Sequence, residues 1–255
     1  MSTAIEFEQV SKKFGGSTYL AVDHVSCRIE HGELVTILGS SGCGKTTLLK
    51  MVNRLYEPDE GVIRLFGEDI AGADPVALRR KIGYVIQQVG LFPHMTIEEN
   101  IAVVPKLLKW PGEKTAERVT ELLTLVGLDA GEFRKRYPAQ LSGGQQQRVG
   151  LARALSADPD VMLLDEPFGA IDAITRVNLQ EELLKIHQAS KKTFLFVTHD
   201  INEAFYLGSR VMIMNRGAIC QFGTPEQIVK NPADDFVASL IASSRRQEAF
   251  WEDLL

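Results

Sequence analysis

The sequence predicts an α/β fold carrying an antiparallel β portion and a helical insertion, and three observations lead to it. Short apolar runs at Leu34 to Leu38, Val161 to Leu164 and Phe194 to Val197 have the composition of strands buried in a parallel sheet. The first run, LVTIL, passes through GSSGCGKTT into TLLKMVNRLY, whose apolar spacing suits a helix. Strand, glycine-rich loop and helix in that order make one βα unit. From about Met95 to Ala139 no strand-like run occurs. There IEENIAVVPKLLKW, EKTAERVTELLTLVGL and GEFRKRY read as helix, punctuated by Pro105, Pro111, Gly112 and Pro138.

The other elements follow in order. IEFEQV and HVSCRIE read as strands separated by a break at Gly15 and Gly16. After the helix comes a turn from Pro58 to Gly61 and a strand, GVIRLFG. DPVALRRK is a short helix with proline near its start, and IGYVI is a strand. Beyond the helical stretch, VMLLD and FLFVTHD are strands with a helix from about Ile174 to Ala189 between them. RVMIMNRGAICQFGTP reads as a hairpin turning at Arg216 and Gly217, followed by short helices to the terminus.

Bulk composition narrows the function classes. Apolar residues make up 45% of 255 and charged residues 24%, as expected of a globular protein with a sizeable core. Lys and Arg number 28 against 33 Asp and Glu, a net charge of -5, which offers no broad basic footprint for nucleic acid. No run approaches the roughly 20 apolar residues of a membrane-spanning helix. The opening MSTAIEFEQV lacks the basic start and apolar stretch of a secretory signal. Cys27, Cys43 and Cys220 have no metal-ligand spacing and read as reduced thiols of a cytosolic protein. Work at a membrane is therefore expected to go through a partner.

The strongest chemical signal is Gly39, Ser40, Ser41, Gly42, Cys43, Gly44, Lys45, Thr46 and Thr47, which fits G-x-x-x-x-G-K-[ST] in full. Its glycines let backbone N–H groups turn inward around phosphate oxygens, and the following helix points its positive end at the same place. Lys45 adds a mobile charge for the β- and γ-phosphates, and Thr46 offers a hydroxyl to Mg²⁺. A second signal is Val161 to Leu164 followed by Asp165 and Glu166. Asp165 suits the metal side, through a coordinated water. Glu166 suits a general base for the attacking water. An apolar strand ending in Asp-Glu is common by itself and gains weight only beside the phosphate loop. A third is Leu141, Ser142, Gly143, Gly144 and Gln145 ahead of a good helix, QQRVGLARAL. Ser142 can cap that helix while the glycines leave its first amides exposed.

At this point the chain resembles the ABC ATPase family, whose signature motif is that pentapeptide in that setting. The resemblance runs from Ile5 to about Ile241 and implies a P-loop NTPase core of ABC ATPase type. Gln87 matches the family's Q-loop glutamine, which touches Mg²⁺. His199 matches the switch histidine at the γ-phosphate, and Gly169 to Asp172 match the D-loop, with Ile171 where leucine is usual. Phe14 matches the aromatic that stacks on adenine, and Tyr19 is the alternative across Gly15 to Ser17. The expected core is about 1–94 and 157–223, the helical subdomain about 95–156, and residues 242–255 a tail. The resemblance also implies a head-to-tail dimer, in which ATP on one copy's Lys45 loop is closed by Ser142 to Gln145 of the other.

A narrower resemblance, carried by NRLYEPDEG, LRRKIGYVIQQVGLFPHMTIEENI, VPKLLKWP and DEPFGAIDAITR, is to ATPase subunits of osmoprotectant importers. It implies ATP and Mg²⁺ as cofactors, transmembrane permease partners, and an indirect link to an extracytoplasmic solute-binding protein or domain. It also implies a peripheral place on the cytoplasmic face of the membrane and no nucleic-acid partner. Paired CBS domains follow the ATPase in several such importers; none follows here, which makes the chain either a shorter branch or a truncation. Another transported substrate, or a soluble ABC ATPase without transport, are the competing expectations.

Overall fold

The computed structural model describes residues 2–87, 90–169 and 171–252, and the chain divides into two compact units. The first comprises Met1–Ala73 with Leu195–Leu255, the second Asp74–Phe194.

The first unit opens with strands β1 (Thr3–Lys12), β2 (Val22–Glu30) and β3 (Leu34–Leu38). Helix α1 (Lys45–Val52), then β4 (Glu60–Leu65) and β5 (Glu68–Asp69) follow. Strands β2, β1, β4 and β5 form an antiparallel sheet in that order. All five residues of β3 are buried; four are apolar, and the hydroxyl of Thr36 is satisfied by donating to the Ala204 carbonyl at 2.9 Å.

The second unit holds α2 (Pro75–Arg80), β6 (Ile82–Val85), α3 (Ile97–Ile101) and α4 (Val103–Leu107). It continues with α5 (Gly112–Leu125), α6 (Ala130–Phe133), α7 (Gly143–Leu155), β7 (Val161–Asp165) and α8 (Ala173–Ser190). Strand β6 pairs in parallel with β7, Ile82 opposite Val161, and α7 packs against β6, α3, α5 and α8. Asn100, fully buried, replaces regular structure between β6 and α3. Its Oδ1 accepts from the Phe92 amide, and its Nδ2 donates to the carbonyls of Phe92, Met95 and Thr96.

Strand β8 (Thr193–Thr198) leads back into the first unit, followed by α9 (Ile201–Leu207), β9 (Arg210–Asn215), β10 (Ala218–Gly223), α10 (Pro225–Lys230) and α11 (Asp235–Glu252). The β9–β10 hairpin turns at Arg216 and Gly217, both at positive φ (48° and 88°), the geometry that matches the twist of paired strands. Strand β3 runs parallel to β9. Leu38, Ala204, Val211, Ile213, Ile228, Val237 and Ile241 form a core on which α11 closes.

Two expectations are corrected. The helix after the glycine-rich loop ends at Val52 rather than running through Tyr56, because the chain turns at Asn53 and Arg54 takes a φ of 48°. The last segment is one 18-residue helix, α11, rather than another short one: Val237 and Ile241, four apart, are both buried and face the core. Among the described residues, no helix is long and apolar enough to cross a membrane.

Candidate nucleotide-binding site

In the first unit the loop between β3 and α1 has the shape its composition predicts. Gly44 lies at a φ of 106°, in the region that favours glycine, and a Cβ there would collide with the carbonyl of Ala21. A Cβ on Gly39 would collide with the carbonyl of Met214. Side chains are thus excluded at both positions by the chain's own backbone. Lys45 is only 5% exposed, and its Nζ donates to the carbonyls of Gly39 at 2.7 Å and Ser40 at 3.0 Å. A near-buried ammonium held against backbone, with a helix N-terminus beside it, fits a polyphosphate.

Around Lys45, Ser40, Ser41 and Gly42 are exposed and Thr46 and Thr47 are half-buried at the start of α1. Cys43 is buried; burial pushes its thiol up, against the opposing pull of Lys45, so it stays neutral and adds no negative charge beside the loop. The Cys43 carbonyl accepts from the Gly217 amide at 3.0 Å, tying the loop to the β9–β10 turn.

Phe14 follows β1 and packs edge-on against Tyr56, centroids 5.1 Å apart at 77°. Asp59 fixes the approach to it: Oδ1 accepts from Lys12 Nζ at 2.7 Å and Oδ2 from the Lys13 amide at 2.6 Å. Phe14 is 37% exposed and Tyr19 72%. One face of Phe14 is therefore anchored while part of it stays open, whereas Tyr19 stands mostly in solvent. His199, exposed, directly follows β8 and precedes Asp200, which caps α9 by accepting from the Asn202 and Glu203 amides.

In the second unit Asp165 closes β7 and is 6% exposed. Glu166 follows at a φ of 44°, a strained position for a side-chain residue and one that recurs at functional sites. Its Oε2 accepts from Gln87 Nε2 at 3.1 Å, so the structure brings together two of the sequence-derived candidates. Gln87 lies two residues past the end of β6. Ser142 caps α7 as expected and more fully: its Oγ accepts from the Gln145 amide, while Gln145 Oε1 accepts from the Ser142 amide at 3.0 Å. Asp172 caps α8 by accepting from the Thr175 amide at 3.0 Å, and this hydrogen bond holds its carboxyl below the usual range. Ala170, inside the D-loop match, lies outside the described residues, as do Gln88 and Val89 after Gln87.

The sequence model of the family described as ABC transporter matches residues 22–169. The chain belongs to the ABC transporter family.

Among its relatives, the chain is 55% identical over 94% of its length to the glycine betaine/carnitine/choline transport ATP-binding protein OpuCA of Bacillus subtilis, covering 63% of that protein. It is 48% identical over 94% of its length to the glycine betaine uptake system ATP-binding protein YehX of Escherichia coli, covering 77% of it. It spans under two thirds of OpuCA, and likewise of the osmoprotectant import ATP-binding protein OsmV of Salmonella typhimurium, where coverage is 64%. Among solved structures it resembles the dimeric, post-hydrolysis ATP-binding cassette MJ0796 bound to ADP and Pi, with a TM-score of 0.76 and 35% identity over 87% of this chain and 98% of that one. The cbiO1 structure from Clostridium perfringens aligns with a TM-score of 0.83 and 25% identity over 91% and 93%.

For an ABC chain, two features beyond the motifs stand out. Asp59 steers the segment bearing Phe14 from 46 positions away, and only its place in a turn hinted at a local role. Arg148 on α7 pairs with Glu182 on α8 at 3.1 Å. No spacing rule links those two residues.

Proposed function

We propose that this chain is the ATP-binding and ATP-hydrolysing subunit of an importer, and that it energises uptake of a quaternary-amine osmoprotectant such as glycine betaine, carnitine or choline. The observation that carries the reading is its 48% to 55% identity, over 94% of its length, to proteins named for transport of those solutes. The phosphate loop supports nucleotide binding: its amides and Lys45 receive the β- and γ-phosphates, and Phe14 offers a face for adenine.

Thr46, Gln87 and Asp165 present the oxygen donors that Mg²⁺ takes, and Mg²⁺ when bound supplies charge neutralisation on the phosphates. Glu166 accepts the proton of the attacking water at its carboxylate, while His199 holds the γ-phosphate. Gln87, bonded to Glu166 at 3.1 Å, orients that carboxylate. Most of the acceleration then comes from position and fixed charge. Two copies pair head to tail, Ser142, Gly143, Gly144 and Gln145 of one closing the nucleotide of the other, with Asp172 alongside. The MJ0796 cassette, dimeric in its ADP and Pi state, supports this arrangement.

The permease partner would dock on the second unit, in a groove of ≈ 330 Å³ whose walls include Arg79, Tyr84, Phe92, Val104 and Arg153. Docking there places the chain on the cytoplasmic face of the membrane, with a solute-binding protein linked only through the permease. Reconstitution with permease and solute-binding subunits tests the reading. ATP hydrolysis should rise several-fold with at least one of glycine betaine, carnitine or choline; a flat response to all three would sink the osmoprotectant assignment.

A further inference from the structure

Helices α7 and α8 start at the two loops that carry Ser142 to Gln145 and Asp172, and they pack against each other within the second unit. Near their starts, a Cβ on Gly144 would lie 2.8 Å from Cγ2 of Thr175. Glycine at that position therefore lets the first turns of the two helices approach, besides leaving the α7 amides open. One turn deeper, Arg148 Nε lies 3.1 Å from Glu182 Oε2, with 23% and 27% of the two side chains exposed. Gly144 and Arg148 stand four apart on one face of α7, and Thr175 and Glu182 seven apart on one face of α8. One contact would be a pivot. Two contacts on the same pair of faces fix rotation as well as separation.

The ion pair also shares a cavity with the loop that follows Glu166. Arg148 and Glu182 line a small cavity of ≈ 20 Å³ together with Pro167 and Phe168, the two residues directly after Glu166. From the other side, the backbone after α5 comes close: a Cβ on Gly127 would lie 3.2 Å from Arg148 Nη1 and 3.6 Å from Glu182 Oε1. Apolar side chains line the same cavity from both helices, Leu151 from α7 and Leu179, Leu183 and Ile186 from α8, so packing between them does not rest on the charges alone. At 23% and 27% exposure the pair is still reached by solvent, which keeps its contribution to stability modest. Its contribution here is angular.

We propose that Arg148 and Glu182 are positioning residues that brace α7 against α8, so that Ser142 to Gln145 and Asp172 reach the second copy's nucleotide as one block. The inference rests on the head-to-tail reading above.

The test uses the full chain carrying Glu166→Gln, which keeps ATP unhydrolysed, and measures ATP-driven dimerisation by sedimentation alongside binding of a fluorescent ATP analogue to the monomer. Arg148→Glu, or the near-isosteric Glu182→Gln, should weaken dimerisation about two- to fivefold, while the monomer's nucleotide affinity stays unchanged, as expected for loss of a single ion pair. The charge swap Arg148→Glu with Glu182→Arg should recover most of the loss. Dimerisation unchanged in both single variants, or a swap no better than Arg148→Glu, overturns the brace alone. A Glu166→Gln parent that stays monomeric with ATP overturns the head-to-tail reading, and the brace with it.

Discussion

Replacing Glu166 by glutamine exchanges one carboxylate oxygen for an amide and leaves the side chain's shape intact. The remaining oxygen can still accept from Gln87 Nε2, which lies 3.1 Å from Oε2 in the native chain. What is lost is the ability to take a proton. Glu166→Gln should therefore keep ATP binding and lower turnover by about 10²- to 10⁴-fold, the range of a general base; steady-state ATPase assays read this, and normal hydrolysis would remove Glu166 from that role. Phe14 offers a second residue-scale contrast. Packed against Tyr56 and only 37% exposed, it is held more firmly than Tyr19 at 72%, which favours it as the proposed platform for adenine. Phe14→Ala should weaken ATP binding about tenfold, from loss of stacking worth roughly 1 kcal/mol or a little more, and Tyr19→Ala should leave it near wild type. Equal losses in the two titrations would contradict the assignment.

The end of β1 depends on Asp59, whose two oxygens hold Lys12 and the Lys13 amide. The hydrogen bond from Lys12, then that from the Lys13 amide, keep its carboxyl below the usual aspartate range. A carboxyl depressed in the folded state stabilises the fold above its unfolded pKa of about 3.9 and loses that contribution as pH falls through the folded value. Asp59→Asn should thus melt lower than wild type at pH 7, with the gap closing below about pH 4; a gap constant with pH would show that the charge is immaterial. This clamp also marks the reach of sequence reading at the scale of elements. Strand β3 was legible because burial on both faces demands a largely apolar run, and the Ser142 cap because capping is local. Asp59 with Lys13 and Arg148 with Glu182 were not legible, since each pair is joined only after distant segments pack. The length of α11 was missed for the same reason. Its apolar face is defined by the core around Ile213 and Ile228, not by its own weak pattern.

For the chain as a whole, the site candidates divide between the two compact units: Phe14, the Lys45 loop and His199 in the first, Gln87, Ser142 to Gln145, Asp165, Glu166 and Asp172 in the second. The chemistry at each motif could be derived from residue types alone, whereas transport and its cargo came only with resemblance, because no motif in the sequence marks a solute site. Binding to the folded chain alone must raise its stability by mass action, whichever residues later perform hydrolysis. At ATP a hundredfold above its dissociation constant the gain is about 2.7 kcal/mol. At this chain length roughly 2 °C per kcal/mol applies, so the melting temperature should rise by about 5 °C. Lys45→Ala removes the ammonium that bonds the Gly39 and Ser40 carbonyls and would meet the phosphates. It should abolish the shift at the same ATP concentration while leaving the nucleotide-free melting temperature within a few degrees of wild type. Thermal melts of both chains with and without ATP decide it. A full ATP-dependent rise in the variant would show that the loop binds through its backbone alone, and would remove Lys45 from nucleotide binding.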